Sequence, residues 1–292
     1  MTFPENSGGN IGEFLRFAEK RLKNAGIENP RFDAEIMLGK ILGLSRMGLF
    51  LQRTEELLNP AKESLEEFIL RRISGEPLQY IIGETEFFSL PFKTDTRALI
   101  PRPETEILVE WALEIIGASE NWRILDIGTG SGAIAIAIAA NSSAVVTAVD
   151  ISEKALELAK ENSELNGIGD RIIFLQADAL EDNFAEITGG EYDLALSNPP
   201  YISQDEISGL QREIREHEPL TALTDGGDGL VFFRRLADAL PRLCKNEGWL
   251  LMETADNRSQ AVKSIFEKKY HQITIRNDLA GKPRVLGVKN VL

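Results

Sequence analysis

From residue 123 onward the chain alternates short apolar runs with amphipathic stretches, and the first such pair is joined by Gly128-Thr129-Gly130-Ser131-Gly132. No other stretch restricts the possible folds as strongly. Residues 123–127 read as a buried strand, and residues 133–140 as a helix of small and β-branched side chains that can pack closely. Three glycines between them let a ligand approach both the backbone and the helix N-terminus. Further strands are expected at 145–149, 171–176, 192–197, 249–252, 272–276 and 284–288, with helices at 152–166, 229–244 and 259–268. This alternation predicts a doubly wound, mostly parallel α/β sheet of seven strands. The last two strands, joined through Ala280-Gly281-Lys282-Pro283, are expected to place one antiparallel strand at the sheet edge.

The preceding residues follow a different rule. Residues 10–75 read as helices only: Asn10 and Glu13 form an N-cap signature, and Ile11, Phe14, Leu15, Ala18 and Leu22 recur at helical spacing. Asn29-Pro30 and Asn59-Pro60 each open another helix, and Gly75 with Pro77 closes the series. Residues 1–76 are therefore assigned to a small helical bundle, serving either as a scaffold or as a partner-docking domain. Residues 77–100 are assigned to a β-hairpin linker, with Tyr80-Ile81-Ile82 and Glu86-Phe87-Phe88 as its extended segments, and residues 101–292 to the α/β domain. Pro101 and Pro103 stiffen the turn around Arg102 ahead of a helix with Ile107, Leu108, Trp111 and Ile115 on its apolar face. Arg102 is either a surface cation or part of a turn held close to a ligand.

Composition removes several classes of function. A single cysteine, Cys244, excludes an internal disulfide and a cysteine-built metal site, and two histidines, His217 and His271, leave few imidazole ligands, so no metal is expected. His217 falls in a charged segment, and Cys244 is expected on the apolar face of the 229–244 helix; neither is read as catalytic. Residues 1–10 carry no basic-then-apolar leader and the longest apolar run, 133–140, is too short to span a bilayer, which predicts a cytoplasmic protein. Residues 1–75 contain 11 acidic and 11 basic side chains, so the whole net charge of −14 falls on residues 76–292. Nucleic-acid binding depends on neutralising phosphates, and this balance disfavours it.

Carboxylates at successive strand ends suggest a nucleoside cofactor. Asp150 follows Gly132 by 18 residues, at the end of the next strand, where a carboxylate can accept both hydroxyls of a ribose. That layout alone does not separate NAD from S-adenosylmethionine. Asp126, just before the glycines, can meet an ammonium or sulfonium group, and Asp178, after the third strand, an adenine amino group. A single strand-end Asp is more often a helix cap or turn, but three together with the glycines favour the cofactor. Asn198-Pro199-Pro200-Tyr201 follows the fourth strand, where parallel sheets place their ligand crevices. Two prolines stop the strand and leave the Asn198 carboxamide and the Pro199 carbonyl as acceptors beside an aromatic ring. Such a group holds a planar NH2. Each hydrogen bond contributes only ~1 kcal/mol net, whereas alignment against an electrophile can supply roughly 7–11 kcal/mol. Tyr201 is expected to stack on or wall in the planar guest.

The glycine turn, Asp150 and Asn-Pro-Pro-Tyr resemble those of class I S-adenosylmethionine-dependent methyltransferases that act on exocyclic or amide nitrogens. Gly75-Glu76-Pro77-Leu78-Gln79-Tyr80 and Leu99-Ile100-Pro101-Arg102-Pro103-Glu104-Thr105-Glu106 narrow the resemblance to the protein glutamine N5-methyltransferases of peptide chain release factors, the HemK family. Glu218-Pro219-Leu220, Asp225-Gly226-Gly227-Asp228-Gly229-Leu230 and Asp278-Leu279-Ala280-Gly281 agree with it. The resemblance implies S-adenosylmethionine as cofactor and the glutamine of a release factor Gly-Gly-Gln motif as substrate. It also implies that Gly128, Thr129, Gly130, Ser131, Gly132, Asp150, Asp178 or Ala179, and Asn198 hold the cofactor, while Asn198, Pro199, Pro200 and Tyr201 hold the glutamine. Asn-Pro-Pro-Tyr also occurs in adenine methyltransferases, so an adenine-N6 nucleic-acid enzyme is the alternative. Glu253-Thr254-Ala255 departs from the family, which often has a glycine soon after the Glu.

Overall fold

The computed structural model describes residues 9–118 and 121–291, so the leader-free reading of residues 1–8 lies outside the described residues. The chain divides into two compact units. The first comprises the described residues up to Gly83 together with 211–217. Its helices are α1 (Ile11–Asn24), α2 (Pro30–Leu42), α3 (Arg46–Leu51), α4 (Asn59–Ile73) and α5 (Leu78–Ile82). Asn10 caps α1 through a full capping box with Glu13. Leu15, Ala18, Leu22, Met37, Leu38, Leu65 and Ile69 form its core. The Arg72 guanidinium, itself little exposed, joins Asp33 at 2.8 Å and Glu213 at 2.5 Å within this unit.

Helix α5 corrects the expectation of an extended Tyr80-Ile81-Ile82. Pro77 precedes the helix, and Gly83 ends it in the left-handed region at φ 76°. Leu78, Tyr80, Ile81 and Ile82 are all buried, so packing and caps override the strand preference of the β-branched pair. The hairpin instead consists of β1 (Glu84–Phe87) and β2 (Leu90–Lys93), turned by Phe88 and Ser89 at φ 51° and 61°.

The second unit holds the sheet and, in chain order, α6 (Glu106–Ile116), β3 (Arg123–Ile127), α7 (Ala133–Asn141), β4 (Val145–Asp150), α8 (Glu153–Leu165), β5 (Ile172–Gln176), α9 (Phe184–Thr188) and β6 (Tyr192–Ser197). After α10 (Arg212–His217), which groups with the first unit, come α11 (Leu220–Leu223), α12 (Val231–Leu243), β7 (Cys244–Glu253), α13 (Ser259–Phe266), β8 (Ile273–Asn277) and β9 (Pro283–Lys289). The seven-stranded order is β5-β4-β3-β6-β7-β9-β8. Strands β3 to β7 pair in parallel, and β9 runs antiparallel to both β7 and β8. The antiparallel strand is therefore one place in from the edge, which corrects the sequence expectation: the hairpin return of β9 inserts it between β7 and β8. Cys244 also differs from expectation, starting β7 rather than lying on a helix; burial pushes its thiol up to about 12.

Period-two alternation assigns side chains to the two faces. Ile124, Val146, Leu194, Leu196 and Leu251 pack with α6 and α7, while Leu125, Ile127, Val149, Ala195, Leu250 and Met252 pack with α9, α12 and α13. Helix α7 is buried along nearly its whole length, as its run of Ala and Ile requires. The hairpin is held to this unit by Asn162 of α8, which is fully buried. Its Oδ1 accepts from the Lys93 N–H at 2.7 Å, and its Nδ2 donates to the carbonyls of Lys93 at 3.2 Å and Ser131 at 3.0 Å. One side chain thus links the hairpin to the glycine turn.

Candidate active site

The parallel strands end on one side of the sheet, where chain reversals leave a cavity of about 430 Å³. Its floor is the glycine turn. The N–H groups of Gly128 and Thr129 donate to the Val149 carbonyl at 2.8 and 2.9 Å, holding the turn against the end of β4. Gly128 and Gly130 adopt φ 74° and 55°, and a Cβ on Gly128 would meet nothing within 4 Å, so the turn faces open space. Gly132 has a different role. At φ 85° a Cβ there would approach Ile136 Cδ1 to 2.9 Å and Ala159 Cβ to 3.1 Å, so the missing side chain lets α7 and α8 pack closely.

Asp150 lines the cavity. Its Oδ2 accepts from the Gly130 N–H and its Oδ1 from the Ser152 N–H, both at 2.9 Å. A carboxylate oxygen has two lone pairs, so each can accept one more donor from a ligand. Burial raises the Asp150 carboxyl above its ordinary value, opposed by these backbone donors. Asp126 is fully buried beneath the turn and does not line the cavity. Its Oδ2 accepts from Thr129 Oγ1 at 2.6 Å and from the Ala135 N–H at 3.2 Å, while Oδ1 is buried without a partner among the described residues. Desolvation pushes this carboxyl up to about 7.

At the next strand end Asp178 and Ala179 also line the cavity. Asp178 Oδ1 accepts from the Leu180 N–H at 2.8 Å, an Asx turn that leaves Oδ2 available. Arg102 lines it from the opposite turn, its guanidinium donating to both oxygens of buried Glu218 at 2.6 and 2.8 Å. That pairing holds the Pro101 to Pro103 turn at the cavity, so Arg102 is more than a surface cation.

Asn198, Pro199 and Pro200 close the cavity where β6 ends. The Asn198 Nδ2 donates to Thr105 Oγ1 at 3.2 Å. Neither Asn198 Oδ1 nor the Pro199 carbonyl accepts a hydrogen bond from the described residues, which leaves two adjacent acceptors for a guest. Tyr201 is not brought to this cavity. It lines a second one, of about 490 Å³, with Ile202, Asp205, Ala255 and Arg258, and its hydroxyl donates to Glu253 Oε1 at 3.3 Å. Burial and Glu253 together raise the hydroxyl above its ordinary range, so it remains a donor. Asp126, Gly132 and Tyr201 thus lie outside the cavity, while the remaining sequence-derived residues line it.

Thr105 and Glu253 were named by sequence reasoning only as parts of family segments, and neither was given a role at the site. Glu253 ends β7 after an apolar run, a strand-end acid of the same kind as Asp150, and that was the available signal.

The chain is 38% identical over 286 residues to the release factor glutamine methyltransferase of Chlorobaculum tepidum, covering 94% of this chain and 95% of that protein. The chain belongs to the release factor glutamine methyltransferase family. The Bacillus subtilis member is 36% identical over 283 residues, covering 94% of this chain and 96% of its own. The family's N-terminal domain, described as the PrmC N-terminal domain, matches residues 13–83, and a methyltransferase small domain matches residues 104–245. Among solved structures, the hMettl16 catalytic domain in complex with MAT2A 3'UTR hairpin 6 superposes with a TM-score of 0.55 at 19% identity, covering 82% of this chain and 85% of that one. A Pyrococcus furiosus methyltransferase gives 0.52 at 17% identity, covering 70% and 91%. At these identities the likeness shows the fold alone, which with the methyltransferase small domain match is that of class I methyltransferases; the helical N-terminal domain is the part matched at residues 13–83.

Proposed function

We propose that this chain transfers a methyl group from S-adenosylmethionine to the side-chain amide nitrogen, N5, of the glutamine in the Gly-Gly-Gln motif of class I peptide chain release factors. One observation carries the reading: in a member of this family, Asn198 keeps its NH2 on Thr105 and presents a free oxygen beside the free Pro199 carbonyl. Those two acceptors match the two hydrogens of a primary amide. The cofactor fits the other half of the cavity. The open face of Gly128, the spare lone pairs of Asp150 and the free oxygen of Asp178 suit a nucleoside. In this reading Gly128, Thr129, Gly130, Ser131, Asp150, Asp178 and Ala179 would hold it, while Asp126 and Gly132 support the turn from beneath.

When bound, S-adenosylmethionine supplies a methyl group on a positively charged sulfur. The protein's own task is positioning. Asn198 and Pro199 fix the plane of the amide so that its nitrogen lone pair, otherwise delocalised, is turned to one side. Pro200 stiffens the wall, and Tyr201, anchored on Glu253, fixes the end of the turn. A primary amide nitrogen that gains a methyl group would carry a positive charge, and an N-protonated amide is acidic enough to give its proton to water, so no strong base is required. Residues 1–76 are assigned in this reading to release-factor docking, residues 77–100 to a linker and residues 101–292 to catalysis, in the cytoplasm. Among the described residues no helix is long and apolar enough to cross a membrane.

The test is transfer of labelled methyl to a purified release factor and to the same factor with its Gly-Gly-Gln glutamine replaced by alanine. Label on the first and none on the second is expected. Equal label on both, or label appearing on nucleic acid instead, sinks the assignment.

A further inference from the structure

We infer that Glu253 and Thr105 form a positioning pair that sets which way the Asn198 carboxamide faces. The inference rests on the reading of Asn198 as the holder of the substrate amide, and it extends that reading to residues outside the Asn-Pro-Pro-Tyr segment. The logic is that of donors and acceptors. A threonine hydroxyl has one proton to give. Thr105 commits it to Glu253 Oε2, a short bond of 2.6 Å between two groups that are 4% and 3% exposed. With its proton committed, Thr105 can only accept towards Asn198, and it accepts the Nδ2–H at 3.2 Å. The carboxamide must therefore turn its NH2 to Thr105 and its oxygen away from it.

The reverse orientation would place the Asn198 oxygen against the Thr105 oxygen, two acceptors with no proton between them. It would also present NH2 to an incoming NH2, and the amide could not be held. Glu253 lines neither cavity, so it acts through its neighbours. Its other oxygen accepts from Tyr201 at 3.3 Å, so one carboxyl group braces residues at both ends of the Asn-Pro-Pro-Tyr turn. Neighbouring turns of the fold supply the parts: Thr105 from the residue before α6, Glu253 from the last residue of β7, and Asn198 from the residue after β6.

Four variants test the pair in the full-length protein, with turnover on release factor and affinity for S-adenosylhomocysteine read separately. Thr105→Val keeps the shape and removes the hydroxyl; turnover should fall about 10- to 100-fold, as misplacement of a positioning group does, with cofactor affinity unchanged. Thr105→Ser should restore most of it. Glu253→Gln keeps an amide oxygen that can accept from Tyr201, so it should lower turnover by itself but, combined with Thr105→Val, should cost no more than Thr105→Val alone, because its hold on Asn198 runs through the hydroxyl. Full turnover in Thr105→Val, or additive losses in the double variant, would overturn the pairing. The Asn198 side-chain amide resonances give a readout that needs no turnover. They should shift in Thr105→Val and return in Thr105→Ser, and if they do not move the pair has no hold on Asn198. An inactive wild-type protein would refute the proposed substrate, whereas an active wild type with an indifferent Thr105→Val refutes only the positioning role.

Discussion

Asp126 and Glu253 are carboxyl groups almost without access to water, and desolvation pushes both up to about 7. For Glu253 the hydroxyls of Thr105 and Tyr201 and the charge of Arg284 oppose the shift, and Glu104 adds to it. A carboxyl whose folded value is raised binds its proton more tightly in the native state. Its contribution to stability is complete below the unfolded value of 4.5 and is lost as pH rises through about 7. Glu253→Gln removes that titration and leaves Asp126 as it was. Thermal and urea unfolding of the two proteins should therefore diverge in favour of Gln between pH 4.5 and about 7, by on the order of 3 kcal/mol. Parallel stability curves would show that Glu253 titrates normally. The same residues mark how far sequence could reach. Gly128, Asp150, Asp178 and Asn198 were legible because each occupies a strand end, and strand ends can be read from local pattern. The pairing of Glu253 with Thr105 was not, because 148 residues separate them and no local pattern encodes the contact. Tyr201 was named from its neighbours, but the direction of its ring depends on the packing around Glu253.

Among the elements, β9 is the strand whose placement sequence could not supply. Its composition reads as a strand, yet whether it follows β8 at the edge or inserts inside it depends on what β7 will pair with. Gly287 shows one consequence of the observed order. A Cβ at this position would lie 2.4 Å from Trp111 Cη2 and 2.9 Å from Leu251 Cδ2, so β9 and α6 pack in close contact there. Gly287→Ala must push the indole or the strand aside, and overpacking of this kind costs about 1–3 kcal/mol. A lowered melting temperature is expected, and a variant as stable as wild type would mean that α6 yields freely. Helix α5 illustrates the other limit. Tyr80-Ile81-Ile82 has strand-like composition, and only the burial of both its faces together with the Gly83 cap makes it helical.

For the whole molecule, the two patterns seen in the sequence, helices first and alternation afterwards, correspond to different chemistry. The acidic excess lies entirely on residues 76–292, which include every cavity-lining residue named here. Affinity for the substrate should therefore come from shape and hydrogen bonding rather than from attraction to phosphates. The central claim is that Asn198 and Pro199 grip a primary amide at the mouth of a nucleoside cavity. A crystal structure with S-adenosylhomocysteine and a Gly-Gly-Gln peptide measures it directly. The account predicts the glutamine nitrogen at about 3 Å from both Asn198 Oδ1 and the Pro199 carbonyl, with Thr105 still accepting from Asn198 Nδ2. A glutamine bound in the second cavity against Tyr201, or an Asn198 carboxamide turned the other way, would contradict it.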